Sequence, residues 1–92
     1  SNGKRNYLTL KKENMDSLIS RISMNPAVNG GKPSIRNMRF TVAQLLELLA
    51  SGMTHKEILS DYPYLEEDDI KSCLLYAAQM ANPRTHILIN AA

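Results

Sequence analysis

The sequence predicts a mainly α domain: three helices with a helix-turn-helix outline, preceded by short β-strands or a hairpin. Three observations predict it. A helix-start signal occurs three times within Thr41–Ala81. Each of the three segments then meets a stop, at Gly52, at Tyr62-Pro63 and at Asn82-Pro83. Before Thr41 the apolar residues come in short runs bounded by turn formers, as strands do.

The start signals are Phe40-Thr41 with Leu45, Met53-Thr54 with Ile58, and Leu65-Glu66 with Ile70. Each sets an apolar residue before a polar cap and another at the fourth helical position, the hydrophobic staple. Thr41-Val-Ala-Gln44 and Thr54-His-Lys-Glu57 are also capping boxes, in which side chains satisfy orphan backbone N–H groups.

The elements follow in order. Residues 1–19 read as an extension. Leu8 and Leu10 alternate with polar neighbours, which permits a short strand, and Glu13–Ser17 permits a helical turn. A strand is expected over Ser20–Met24, stopped by Asn25-Pro26. Asn29-Gly30-Gly31-Lys32-Pro33 is a loop whose glycines allow positive φ. Ser34–Arg36 and Arg39-Phe40 pattern as arms of a tight hairpin with Asn37-Met38 as its turn.

The helices are expected at Val42–Ser51, His55–Asp61 and Glu67–Ala81, so the domain proper covers residues 20–82. Helical spacing gives the last one a core face of Ile70, Cys73, Leu74, Ala77, Met80 and Ala81. Leu75 falls on the outward face, with Leu48 and Tyr76 at the flanks, which makes these three candidates for a partner surface. Residues 83–92 form a tail. Its apolar run His86–Asn90 reads as an edge strand in search of a sheet, with Arg84, Ile87 and Ile89 as partner-binding candidates.

Composition narrows the function classes. The sequence has 92 residues, one Phe and no Trp, so the core must be aliphatic and small. Dimerisation would hide more apolar surface, and a homodimer is expected. Cys73 is alone, so it forms no intramolecular disulfide, and a reducing, cytoplasmic setting is expected. No apolar run reaches the roughly 20 residues of a membrane span.

Charge is split along the chain. Residues 1–40 carry eight Lys or Arg against Glu13 and Asp16. Residues 41–92 carry Lys56, Lys71 and Arg84 against seven carboxylates. A polyanion, if bound, meets the first half; otherwise the split marks a head-to-tail complementary domain or simply an ordinary charged surface.

No catalytic constellation can be assembled. Gly30-Gly31-Lys32 lacks the spacing of a phosphate-binding loop, and Pro33 stands where Ser or Thr is needed. His55 and His86 have no Cys or His at metal-ligand spacing, so neither a metal nor a cofactor is expected. Cys73, on an apolar face, reads as a buried, inert thiol. The run Glu66–Asp69 reads as a solvated helix start that favours the positive end of the helix dipole. Those carboxylates make the last helix a poor reader of DNA, since Lys71 is its only cation. Arg21, Lys32, Arg36 and Arg39 are the better DNA-binding candidates, on strand, loop and hairpin.

Arg21-Ile-Ser-Met-Asn-Pro26, Gly30-Gly-Lys-Pro33, Ile35-Arg36, Arg39-Phe-Thr-Val42, Ser51-Gly-Met53, Glu57-Ile-Leu59, Asp61-Tyr-Pro63 and Asp68-Asp-Ile70 occur in this order. Together they resemble the small bacterial family called domain of unknown function 433, over about Arg21–Ala81. The resemblance implies a homeodomain-like, helix-turn-helix α domain after short strands, from a prokaryotic source. Some members are proposed to be VapB-type antitoxins, which bind a PIN-like ribonuclease toxin and repress their own operon. The chain departs from the family pattern at Asn37-Met38, where Gly-Thr is usual, and at Glu66, where Thr is the usual cap.

The expected function is therefore that of a non-enzymatic binding protein: a VapB-like antitoxin, or a DNA-binding regulator of a toxin–antitoxin pair. A PIN-like ribonuclease and operator DNA are the implied partners. The alternative is an interaction or dimerisation module without DNA affinity.

Overall fold

Asn6 opens the first helix, and its side chain accepts the Thr9 N–H at 2.8 Å. The computed structural model describes residues 6–83. Helix α1 runs Tyr7–Ile19, where the sequence suggested at most a short strand and a helical turn. The alternation of Leu8 and Leu10 misleads because no strand lies beside it, and both side chains are exposed. Met15, Leu18 and Ile19 instead share one helical face and are half-buried. α1 packs along the last helix of the fold, α4 (Glu67–Ala81). A Lys12–Asp16 pair at 3.0 Å bridges one turn on the exposed side.

Since α1 continues to Ile19 with Ser20 as its cap, the strand expected over Ser20–Met24 shrinks to β1, Ile22–Ser23. β1 pairs antiparallel with β2, Ser34–Ile35, in the register Ile22 to Ile35 and Ser23 to Ser34. The loop between them turns through positive φ at Asn29, Gly30 and Gly31. Asn29 Nδ2 pins that loop by donating to Ser34 Oγ at 2.7 Å and to the Met38 carbonyl at 3.0 Å.

The tight turn after β2 forms, but one residue earlier than its chemistry suggested. Its central residues are Arg36 (φ 46°) and Asn37 (φ 59°), closed by Met38 N–H on the Ile35 carbonyl at 2.7 Å. Positive φ at both positions is the sign pattern of a type I′ turn. β1 supplies the physical reason for the shift. Arg36 N–H donates to the Arg21 carbonyl at 2.8 Å, and Asn37 N–H donates to Ser23 Oγ at 2.9 Å. The second arm is short, with Ile35 N–H on the Phe40 carbonyl and a single bridge between Ser34 and Thr41.

The remaining helices start where their caps place them. α2 is Val42–Ala50 and α3 is His55–Asp61, and both expected capping boxes are complete. Thr41 Oγ1 accepts from Gln44 N–H, and Thr54 Oγ1 accepts from Glu57 N–H, each at 3.1 Å. α2 ends in a full Schellman motif: Met53 N–H reaches the Leu48 carbonyl, and Gly52 N–H the Leu49 carbonyl. Gly52 adopts φ 103°, which a side chain would oppose. Five of the six staple residues then meet in one core of Ile35, Phe40, Val42, Leu45, Ile58, Leu65, Ile70 and Cys73, and Met53 packs half-buried against it.

Two expectations about α4 are corrected. Leu74, assigned to the core face, is 43% exposed. Leu75, assigned outward, is half-buried, and Ser72 on the same side of the helix is fully buried. The unforeseen α1 lies on α4, so the face read as outward is a covered one. The tail strand His86–Asn90, with Arg84, Ile87 and Ile89, lies outside the described residues.

Candidate functional site

A carboxylate organises the surface around the turn. Asp69, in the first turn of α4, is fully buried, which corrects the reading of Glu66–Asp69 as a wholly solvated start. Its Oδ1 accepts from Arg36 Nε at 3.0 Å and from Arg21 Nη1 at 3.1 Å. Its Oδ2 accepts from Arg36 Nη2 at 2.7 Å and from the Glu66 N–H at 2.8 Å. The Arg36 contact is the two-pronged pairing for which a planar guanidinium is suited. Arg21 Nη1 also donates to Glu66 Oε1 at 2.7 Å, and Arg36 Nη2 to the Tyr64 carbonyl at 2.9 Å.

The electrostatics follow from those contacts. Burial alone would push the Asp69 carboxyl up. The hydrogen bonds from Arg36, the Glu66 N–H and Arg21 outweigh burial and hold it below the usual carboxylate range. The same contacts raise both guanidinium groups: Arg21 by hydrogen bonds to Glu66 and Asp69, Arg36 by its hydrogen bond to Asp69. The charge split along the sequence is thus partly resolved inside the fold, as cations of the first half close on carboxylates of the second.

This settles where the four basic candidates stand. Arg21 and Arg36 are committed to carboxylates and to the Tyr64 carbonyl. Lys32 and Arg39 are exposed, and neither makes a salt bridge among the described residues.

Helix α2 is a ridge between two depressions. On one flank, Val42, Ala43 and Leu46 face Tyr76, Ala77, Met80 and Ala81 of α4 across an apolar groove of about 510 Å³. Lys32, Pro33 and Thr41 complete its lining. On the other flank, Gln44, Glu47, Leu48 and Ser51 join Arg39, Phe40, Tyr62 and Tyr64 around a polar hollow of about 430 Å³. The three rings there pack edge to face, Phe40 and Tyr62 with centroids 4.9 Å apart and Tyr64 at 6.4 Å from each. Tyr64 is 54% exposed, and Arg36 holds its carbonyl.

The partner-surface candidates are therefore separated. Leu48 lines the polar hollow beside Arg39, and Tyr76 lines the apolar groove beside Lys32. Leu75 lines neither. Leu48 and Tyr76 also pack against the core. Sequence reading missed Asp69, Tyr62 and Tyr64. The retrievable signal was the charge split, which raised complementarity between the two halves without naming the pairs.

Cys73 is fully buried, and desolvation pushes its thiol up to about 12, which makes it a poor nucleophile. His55 Nδ1 lies 2.7 Å from Glu67 Oε2 and ties the start of α3 to that of α4. Among the described residues no group of three or more His, Cys, Asp or Glu is arranged to hold a metal ion. No described helix is long and apolar enough to cross a membrane.

A family model described as "Protein of unknown function (DUF433)" matches residues 22–77. The chain belongs to this family. The match includes both strands, α2, α3 and most of α4, and it leaves out α1. Arg36, Asp69 and Tyr64 lie within the family region of this DUF433 protein, whereas Arg21 stands one residue before it. No curated protein and no solved structure matches the chain.

Proposed function

We propose that this DUF433 protein is a non-enzymatic binding module that acts by protein–protein contact. That mode of action fits a VapB-like antitoxin as well as a plain interaction module. The observation that carries the proposal is the apolar groove between α2 and α4. An exposed apolar depression costs hydration free energy, and such surfaces mark sites of association. Direct DNA contact is a second reading, favoured by the exposed Lys32 and Arg39 alone. With Arg21 and Arg36 engaged by carboxylates, only two of the four basic candidates are left to displace counterions.

Two measurements test this. Binding to a duplex should show a log–log salt slope no steeper than about −1.8, the value for two phosphate contacts. A slope near −3.6 would mean four contacts and would restore the DNA reading. For the protein partner, the product of the adjacent reading frame is co-expressed and the complex isolated. Ala43→Glu, in the groove, should abolish the complex, and Lys56→Glu, on exposed α3, should preserve it. A complex that survives Ala43→Glu would move the contact away from the groove.

A further inference from the structure

The charge and the walls of the apolar groove specify what fits it. Among the described residues that line it, Lys32 is the one charged side chain, and no Asp or Glu is among them. Lys32 is exposed and makes no salt bridge among the described residues. The backbone sets its place. Val42 N–H donates to the Pro33 carbonyl at 3.0 Å, which holds the neighbouring Lys32 beside the first turn of α2. The positive end of the α2 dipole lies there too and adds to the same sign. The polar hollow across the ridge differs, since it carries both Arg39 and Glu47.

We infer that the groove takes an amphipathic helix of a partner protein, with two apolar side chains one turn apart and an Asp or Glu one turn beyond them, against Lys32. Backbone chemistry selects a helix over an extended segment. Both long walls are helices, α2 and α4, so the groove offers no sheet edge to a strand. An extended segment would bury unpaired backbone groups against apolar side chains, whereas a helix satisfies its own. Length agrees as well. The α2 wall from Val42 to Leu46 spans four helical steps, about 6 Å, and the α4 wall from Tyr76 to Ala81 spans five, about 7.5 Å. Side chains at i and i+4 of an incoming helix stand about 6 Å apart, which matches either wall. Val42, Leu46, Ala77 and Met80 receive them, and apolar burial drives the contact. Lys32 then sets direction and selectivity, because a carboxylate there meets a cation, while a Lys or Arg in its place meets a like charge.

This inference rests on the reading of the groove as a contact surface, and its test separates the two. A displayed library of helical peptides, randomised on one face, is selected on the full chain, then on Lys32→Glu and on Ala43→Glu. Both positions are exposed, and thermal melting by circular dichroism checks that each variant is folded. The expected consensus is an apolar pair at i and i+4 with Asp or Glu one turn further. Against Lys32→Glu that last position should turn to Lys or Arg, and against Ala43→Glu the enrichment should vanish. The winning peptide and a twin with Lys for its acid are then compared by fluorescence anisotropy. Wild-type protein should prefer the acidic form by about fivefold, and Lys32→Glu should reverse the preference. An apolar consensus that is lost on Ala43→Glu but has no acidic position, or keeps the same acid on Lys32→Glu, would overturn the inference and leave the contact surface in place. No enrichment, or enrichment that survives Ala43→Glu, would overturn both. A dimer in sedimentation equilibrium that Ala43→Glu dissociates would overturn the inference in favour of a second copy of the chain.

Discussion

Replacing Asp69 with Ala removes the one fully buried carboxylate among the described residues and should be the most damaging single change on this surface. Four hydrogen bonds disappear with it: two from Arg36, one from Arg21 and one from the Glu66 N–H. Loss of one partner of a buried ion pair typically costs about 3–5 kcal/mol, because the other charge is left unmatched. Here the lower end applies. The side chains of Arg21 and Arg36 retain 26% and 36% exposure, so water can take up part of what the carboxylate leaves. A loss of about 3 kcal/mol is a large fraction of the roughly 5–15 kcal/mol that stabilises a typical domain. At about 4–8 °C per kcal/mol for a chain of this size, the melting temperature should fall by about 12–24 °C. Urea denaturation followed by circular dichroism measures the change directly.

The same residue fixes a pH dependence. The folded Asp69 carboxyl is held below its unfolded value of about 3.9, so its contribution is fully present above that pH. It is lost as pH falls through the folded pKa. Wild-type protein should therefore lose stability steeply below about pH 4, and Asp69→Asn should show a flatter profile there. A loss below about 1 kcal/mol for Asp69→Ala, with an acid limb unchanged in Asp69→Asn, would refute the view that this cluster locks the turn to α4.

Two further predictions concern local chemistry. Asn37→Val places a β-branched side chain at φ 59° and should cost about 1–2 kcal/mol, read as a lower urea midpoint, while Asn37→Gly should cost little. Cys73 should resist a thiol reagent in the native state and react at once in denaturant. Its pKa is raised in the fold, so the proton is held more tightly there and stability should fall as pH rises above about 8.5.

The sequence by itself determined the parts whose physics is local. Thr41, Thr54 and Gly52 act within a few residues of themselves, so α2 and α3 begin, and α2 ends, where those residues place them. Asn82-Pro83 and Tyr62-Pro63 stop their helices for the same reason. The staple pairs Phe40 with Leu45 and Leu65 with Ile70 marked core residues correctly, since the apolar residue flanking a cap must turn inward with the chain. The buried state of Cys73 was equally legible from its face of the helix.

The tertiary structure alone decided what depends on distant neighbours. α1 has no fully buried residue and a weak pattern, and its packing along α4 is a long-range fact that leaves little trace in Tyr7–Ile19. That packing in turn covers the side of α4 assigned to solvent and leaves Leu74 exposed, so helical spacing ranked the positions against an incomplete set of partners. The register of the turn followed Ser23 and the Arg21 carbonyl, two groups well before it in sequence. Four consecutive acidic residues look alike in a sequence, and only the fold selects Asp69 for burial, because only the fold brings two arginines from the first half of the chain against it.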